Sequence, residues 1–147
     1  MAKILIVEDD ENIVKMLRVA LEAKGYLVEP AACANTALTW LKESSKPDLI
    51  IIDIGLPDMD GLKLCQMIKD DPATRKIPVV ILTANMTNDA KIRANLIAHA
   101  DLFLTKPIDL KELTNAINAL IEKFIREKEF LHDISLRKKP GSAPQKQ

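Results

Sequence analysis

Pro47-Asp48-Leu49-Ile50-Ile51-Ile52-Asp53 decides the fold. Four branched or aliphatic residues in a row, too few for a helix and bounded by a proline and an acid, read as a strand buried on both faces of a sheet. Working outward, Lys3–Val7, Leu27–Ala31, Ile77–Leu82 and Asp101–Leu104 repeat the pattern, and all five runs are expected as parallel strands with both faces covered. Helical periods lie between them. Ile13, Val14, Leu17, Ala20 and Leu21 recur on one helical face after Asp10 as N-cap, and Gly25 sits where a left-handed cap stops the chain. Ala34–Glu43, Leu62–Lys69 and Asp89–Ala98 give weaker versions. The last period, Leu113, Ile117, Leu120, Ile121, Phe124 and Ile125, is the clearest and opens at Asp109. Strand and helix alternate five times, which predicts an open parallel sheet with helices on both sides and right-handed crossovers.

Composition agrees with one domain of this kind. The chain has 147 residues, 48% of them hydrophobic and only 3% aromatic, which suits a single aliphatic core. No run approaches the eighteen apolar residues of a membrane span, and no basic leader with a cleavage site opens the chain, so membrane insertion and secretion are not expected. Cys33 and Cys65 follow no metal-ligand spacing and read as reduced thiols, which places the protein in the cytoplasm. Lys+Arg and Asp+Glu balance at 21 each, but residues 1–122 carry 14 against 18 and residues 123–147 carry 7 against 3. The folded part is thus acidic and lacks a nucleic-acid footprint.

In open parallel sheets the working groups collect at the carboxyl ends of the strands. Here those ends carry Glu8-Asp9-Asp10, Asp53, Thr83-Ala84 and Thr105-Lys106-Pro107. Taken singly, each has an ordinary explanation in a cap, a turn or an ion pair. Asp53 does not, because a carboxylate at the end of a buried strand needs a compensating cation. Lys106 supplies one, and oxygens from Glu8, Asp9 and Asp53 together make a hard-cation site suited to Mg²⁺. A carboxylate between two cations is able to attack phosphorus, with the Thr83 hydroxyl as a donor to the incoming oxygens and the small Ala84 leaving room.

Four motifs in order, Ile4-Leu5-Ile6-Val7-Glu8-Asp9-Asp10, Pro47 to Asp53 continuing through Gly55, Pro57, Asp60 and Gly61, Ile77 to Ala84, and Leu104-Thr105-Lys106-Pro107, resemble the receiver domains of two-component response regulators from about Lys3 to Ile125. The resemblance implies a flavodoxin-like (βα)5 doubly wound sheet of order 2-1-3-4-5. It implies Asp53 as phospho-acceptor. Asp9, Asp53 and the Gly55 backbone carbonyl then bind Mg²⁺, Glu8 acts through a water, Thr83 and Lys106 face the phosphoryl oxygens, and Phe103 is the aromatic switch coupled to Thr83. The Lys106-Pro107 peptide is cis in such domains, and Gly55 and Asn85 flank the phosphoryl group. The implied partners are a sensor histidine kinase or a histidine phosphotransfer protein as donor, and a downstream protein reached through the surface of the fourth and fifth helices and fifth strand.

Two departures stand out. His99 replaces the usual glycine before Ala100-Asp101, and the Thr83-to-Lys106 interval is one residue longer, the extra residue falling within Asn95–His99. If His99 adopts a left-handed conformation, the missing glycine costs about 1 kcal/mol. Beyond a receiver domain over 1–125, residues 126–147 read as a helical extension to about residue 134 and a disordered basic end from Leu136, too short for a DNA-binding domain. A homodimer contact, a docking segment and an extension folded back over the domain are its three readings. Other functions fit less well. A dehalogenase-type phosphohydrolase needs an acid where Gly55 stands, a flavodoxin-type carrier would not place Glu8-Asp9-Asp10 against a phosphate, and a dinucleotide fold lacks its glycine fingerprint. The expected role is therefore a phospho-accepting switch, not an enzyme with an external substrate. A non-phosphorylated scaffold of the same fold is the alternative.

Overall fold

A computed structural model describes residues 1–43, 45–84 and 99–137. Its strands are β1 (Lys3–Val7), β2 (Leu27–Ala31), β3 (Leu49–Asp53), β4 (Val79–Thr83) and β5 (Leu102–Thr105), and its helices are α1 (Glu11–Glu22), α2 (Ala34–Glu43), α3 (Gly61–Asp70) and α4 (Leu110–Arg137). The sheet is wholly parallel in the order β2-β1-β3-β4-β5, as the resemblance implies. The helical period Asp89–Ala98 lies outside the described residues, as does Asn85.

Alternation along the central strands sorts the core into two halves. Leu5, Val7, Ile50, Ile52, Val79 and Ile81 face α2 and α3, while Ile4, Ile6, Leu49, Ile51, Val80 and Leu82 face α1 and α4. Three strands are buried on both faces, but the expectation fails for β2 and β5. They are the two edges, so each has a neighbour on one side only, and Leu27, Glu29, Pro30 and Thr105 are exposed. Pro30 is tolerated there because an edge strand has a side without ladder bonds, and the Arg18 guanidinium donates to the Val28 carbonyl at 3.3 Å. Strand β4 begins at Val79 and not at Ile77. Pro78 has no N–H to give, although its carbonyl still accepts from Ile50 at 3.0 Å. The fifth strand runs from Leu102 to Thr105, one residue later than expected, although the Asp101 N–H still donates to the Val79 carbonyl at 2.9 Å.

The helix ends follow the sequence closely. Asp10 accepts from the N–H groups of Asn12 (2.9 Å) and Ile13 (3.3 Å), and Asp109 accepts from Lys111 (3.0 Å) and Glu112 (3.1 Å). Gly25 has φ 92° and closes α1, the Tyr26 N–H reaching back to the Leu21 carbonyl at 3.2 Å. His99 is left-handed at φ 58°, so it takes up the conformation for which a glycine would be suited. The Lys106-Pro107 bond is cis.

Helix α4 is 28 residues long, about 42 Å at 1.5 Å per residue. Leu113, Ile117, Ile121 and Phe124 bury its first half. Past Phe124 it continues as one helix to Arg137 with Phe130, Leu131 and Leu136 exposed. It does not fold back over the domain, and Leu136 and Arg137 are helical and not part of a disordered end. Residues 138–147 lie outside the described residues.

Candidate phosphoryl and cation site

The parallel register brings the strand ends to one edge. Val7 lies opposite Ala31 and Ile52, Asp53 opposite Leu82, and Thr83 opposite Thr105. Backbone bonds carry the ladder one step past the strands, from Glu8 N–H to Ala31 (3.0 Å), Ile54 N–H to Leu82 (2.9 Å) and Lys106 N–H to Thr83 (2.7 Å). Rigid pairing at this edge therefore fixes where Glu8, Asp53, Thr83 and Lys106 stand.

Asp53 is 6% exposed and Glu8 2%, whereas Asp9 is open to solvent. The Lys106 ammonium bridges the two buried carboxylates, 3.2 Å from Glu8 Oε1 and 3.2 Å from Asp53 Oδ1. Desolvation pulls the Lys106 ammonium down, but the hydrogen bonds to Glu8 and Asp53 outweigh it and hold it above the usual lysine range. Burial pushes the Glu8 carboxyl up to about 7; the Asp10 N–H pulls the other way, Asp53 adds to the rise and Lys106 opposes it. One ammonium facing the carboxylates of Glu8, Asp9 and Asp53 leaves negative charge over. Those three groups offer oxygens within 4.8 Å of one another, a hard donor set that fits a small divalent cation such as Mg²⁺.

The other predicted residues divide in two. Thr83 is buried at the end of β4, and Ala84 beside it is exposed. Gly55 lies close to the acceptor: a β-carbon built on it would stand 4.0 Å from Asp53 Oδ2, the oxygen not bonded to Lys106. Phe103, on β5, is half-buried opposite Ile81 and packed against the core half under α2 and α3. A groove of about 460 Å³ opens beside Glu8 and Asp9, lined also by Val14, Lys15, Arg18 and Pro30.

Three residues that the sequence reading left without a role shape this edge. Gly61 starts α3 with its N–H on the Ile54 carbonyl at 2.8 Å, and a β-carbon there would come within 2.3 Å of the Asp53 carbonyl oxygen and 2.7 Å of Ile54 Cα. Only glycine allows so close an approach. Asp58 accepts from the N–H groups of Ala34 (2.9 Å) and Asn35 (2.9 Å) and so caps α2 from a different loop. Those bonds, Asn35 first and Ala34 next, hold its carboxyl below the usual aspartate range. Lys69, nearly buried, donates to Asp101 (2.8 Å), the Ile77 carbonyl (2.7 Å) and the Arg75 carbonyl (3.2 Å), while Asp101 accepts from the Val79 N–H at 2.7 Å. Sequence signals existed for the first two. A glycine at a helix start after the good cap Asp60 is costly unless space demands it, and α2 follows Cys33 with no acid in its first turn, which leaves its N–H groups in need of an outside acceptor. Nothing in the sequence marks Lys69.

Comparison with known proteins agrees with the geometry. Residues 4–118 match the model of the response regulator receiver domain. Over 108 residues the chain is 44% identical to the response regulator PleD of Caulobacter vibrioides, covering 74% of this chain and 23% of PleD. Over 121 residues it is 34% identical to the phosphate regulon transcriptional regulatory protein PhoB of Rhizobium meliloti, covering 82% and 52%. The chain thus spans about half the length, or less, of these relatives. Among solved structures, the receiver domain of a signal transduction histidine kinase from Syntrophus aciditrophicus superposes with a TM-score of 0.77 at 36% identity, covering 84% of this chain and 92% of that one. A CheY-like response regulator receiver domain protein from Methanospirillum hungatei gives 0.79 at 29% identity, covering 86% and 98%. Sheet order, strand-end chemistry and similarity over most of the chain lead to one assignment: this chain belongs to the response regulator receiver domains of two-component signalling systems.

Proposed function

We propose that Asp53 accepts a phosphoryl group from a phosphohistidine, and that this switches a protein-binding surface. The observation that carries the reading is the Lys106 ammonium held 3.2 Å from both Asp53 and Glu8, with Asp9 completing an oxygen cluster around the acceptor. An Asp53 oxygen attacks phosphorus as the phosphorus–nitrogen bond to the donor imidazole breaks, leaving an acyl phosphate and a free histidine. Glu8, Asp9, Asp53 and the Gly55 carbonyl would hold Mg²⁺, which when bound offsets charge on the phosphoryl oxygens. Lys106 offsets the remaining charge, and the Thr83 hydroxyl donates to one oxygen. The donor, a sensor histidine kinase or histidine phosphotransfer protein, approaches over the groove beside Glu8 and Asp9.

Output follows from a shift between two arrangements of Thr83, Phe103 and β5, read by a protein partner. This is regulation and not turnover of an external substrate. Residues 1–125 act as the receiver unit and 126–137 as its helical extension. Neither Cys33 nor Cys65 is in a disulfide, which suits a reducing cytoplasm. Among the described residues, no helix is long and apolar enough to cross a membrane.

The test is intact mass after incubation with acetyl phosphate and Mg²⁺, for wild type and Asp53→Asn. A phosphoryl adduct that requires Mg²⁺ and is lost in the variant is the expected result. No adduct, with beryllofluoride also failing to bind, would refute phospho-acceptance and favour a constitutive scaffold.

A further inference from the structure

The loop between β3 and α3 carries Gly55, and three contacts frame it. Gly55 pairs with Asp60 in an isolated antiparallel bridge, Asp60 caps α3 through the Leu62 N–H at 2.9 Å, and the Gly61 N–H holds the Ile54 carbonyl at 2.8 Å. These contacts close the loop on itself and on its own helix. Leu56 ties the loop to the rest of the molecule by burial in the core half under α2 and α3, and Asp58 adds a polar tie at the outer turn, through one oxygen to Ala34 and the other to Asn35, both at 2.9 Å. Helix α2 in turn has no carboxylate of its own in its first turn, and the residue before it is Cys33, whose carbonyl accepts from Ala37 at 3.2 Å. The two elements complete one another: the helix end needs an anion, and the loop needs an anchor.

The geometry points to Asp58 as a positioning residue for the cation site, fixing the Gly55 segment against α2 so that its carbonyl is in place before the cation arrives. The inference rests on the reading that Glu8, Asp9, Asp53 and Gly55 hold a divalent cation. Asp58 touches neither cation nor phosphoryl group; it acts by removing the freedom of the loop that does. Residues that orient metal ligands in this way change metal affinity by about 10–100-fold when replaced. Asp58 works through two intervening residues, Leu56 and Pro57, so the lower end applies.

Isothermal titration with Mg²⁺ on the whole chain tests this. Asp58→Ala is expected to weaken binding about tenfold. Asp58→Asn keeps one acceptor oxygen but turns an amide N–H toward a backbone N–H, and its affinity falls between the two. Thr39→Gly weakens α2 at an exposed position without touching the loop and is expected to bind Mg²⁺ as wild type does. In wild type, the Ala34 and Asn35 amide resonances shift during the titration with the midpoint of Asp53. Both Asp58 variants binding within about twofold of wild type would overturn the inference, as would Thr39→Gly weakening binding as much as Asp58→Ala, since the effect would then be general loss of α2. A wild type that takes up no Mg²⁺ is a different failure, because it removes the cation site itself and the inference with it.

Discussion

Gly61→Ala places a methyl group 2.3 Å from the Asp53 carbonyl oxygen, 2.7 Å from Ile54 Cα and 3.0 Å from the Asp53 carbonyl carbon. All three obstacles are backbone, so no side chain can rotate away. Ordinary contact needs about 3.5 Å, and the start of α3 or the end of β3 must therefore move by roughly an ångström. Strand β3 is central and paired on both sides, so the strain is shared between a helix shift and a displaced Asp53. Overpacking of this kind costs about 3 kcal/mol, and a reacting group displaced by about 1 Å loses about 100-fold in rate. Urea unfolding reads the first quantity and the initial rate of adduct formation from acetyl phosphate reads the second. Two other glycines separate causes. Gly25→Ala forces a side chain into φ 92° with nothing within 4 Å, so it costs about 1 kcal/mol and leaves the phosphorylation rate unchanged. Gly55→Ala meets nothing closer than Asp53 Oδ2 at 4.0 Å and folds as wild type does. If Gly61→Ala matches wild type in both stability and rate, close backbone approach is not what requires glycine there, and the reasoning fails.

Lys69→Met removes three donated bonds, to Asp101, Ile77 and Arg75, and leaves the Asp101 carboxylate, among the described residues, with the Val79 N–H. A loss of about 2 kcal/mol is expected because Asp101 is partly exposed, seen as a melting point lower by about 4–8 °C; an unchanged melting point would show that the clasp is idle. His99→Gly relieves a left-handed histidine and stabilises the fold by about 0.5–1 kcal/mol after the entropy of the added glycine, measured as a rise in urea midpoint at constant slope. A fall in midpoint would mean that the histidine side chain contributes more than its backbone costs. Burial pushes the Cys65 thiol up to about 12, Lys69 lowering it and Asp101 raising it, so its thiolate is scarce at pH 8. Iodoacetamide at that pH is expected to modify the half-buried Cys33 first and Cys65 only when urea unfolds the chain, and equal labelling in buffer would contradict the burial.

What could be read directly from the amino-acid order was whatever local periodicity and strand-end position control. Leu49-Ile50-Ile51-Ile52 has no polar residue to turn outward, so it had to become an inner strand; Asp10, Gly25 and Asp109 mark helix ends by chemistry confined to a few neighbouring residues. The acceptor site was legible for the same reason. Parallel strands bring their carboxyl ends to one edge, so Glu8, Asp9, Asp53, Thr83 and Lys106 could be gathered without knowing any distance, and the strand order came with the family motifs. Tertiary structure decided what depends on contacts between distant residues. Which strands lie at the edges determined that β2 and β5 are exposed, the backbone approach of α3 to β3 made Gly61 necessary, and the packing of one loop against another helix gave Asp58 its task. Lys69 reaches Asp101 across 32 residues of chain, a pairing no local pattern encodes because its partners meet only when the sheet has formed. The course of α4 past Phe124 belongs here too. Its apolar residues keep no register that would turn them toward the domain, and the three-dimensional helix leaves them exposed.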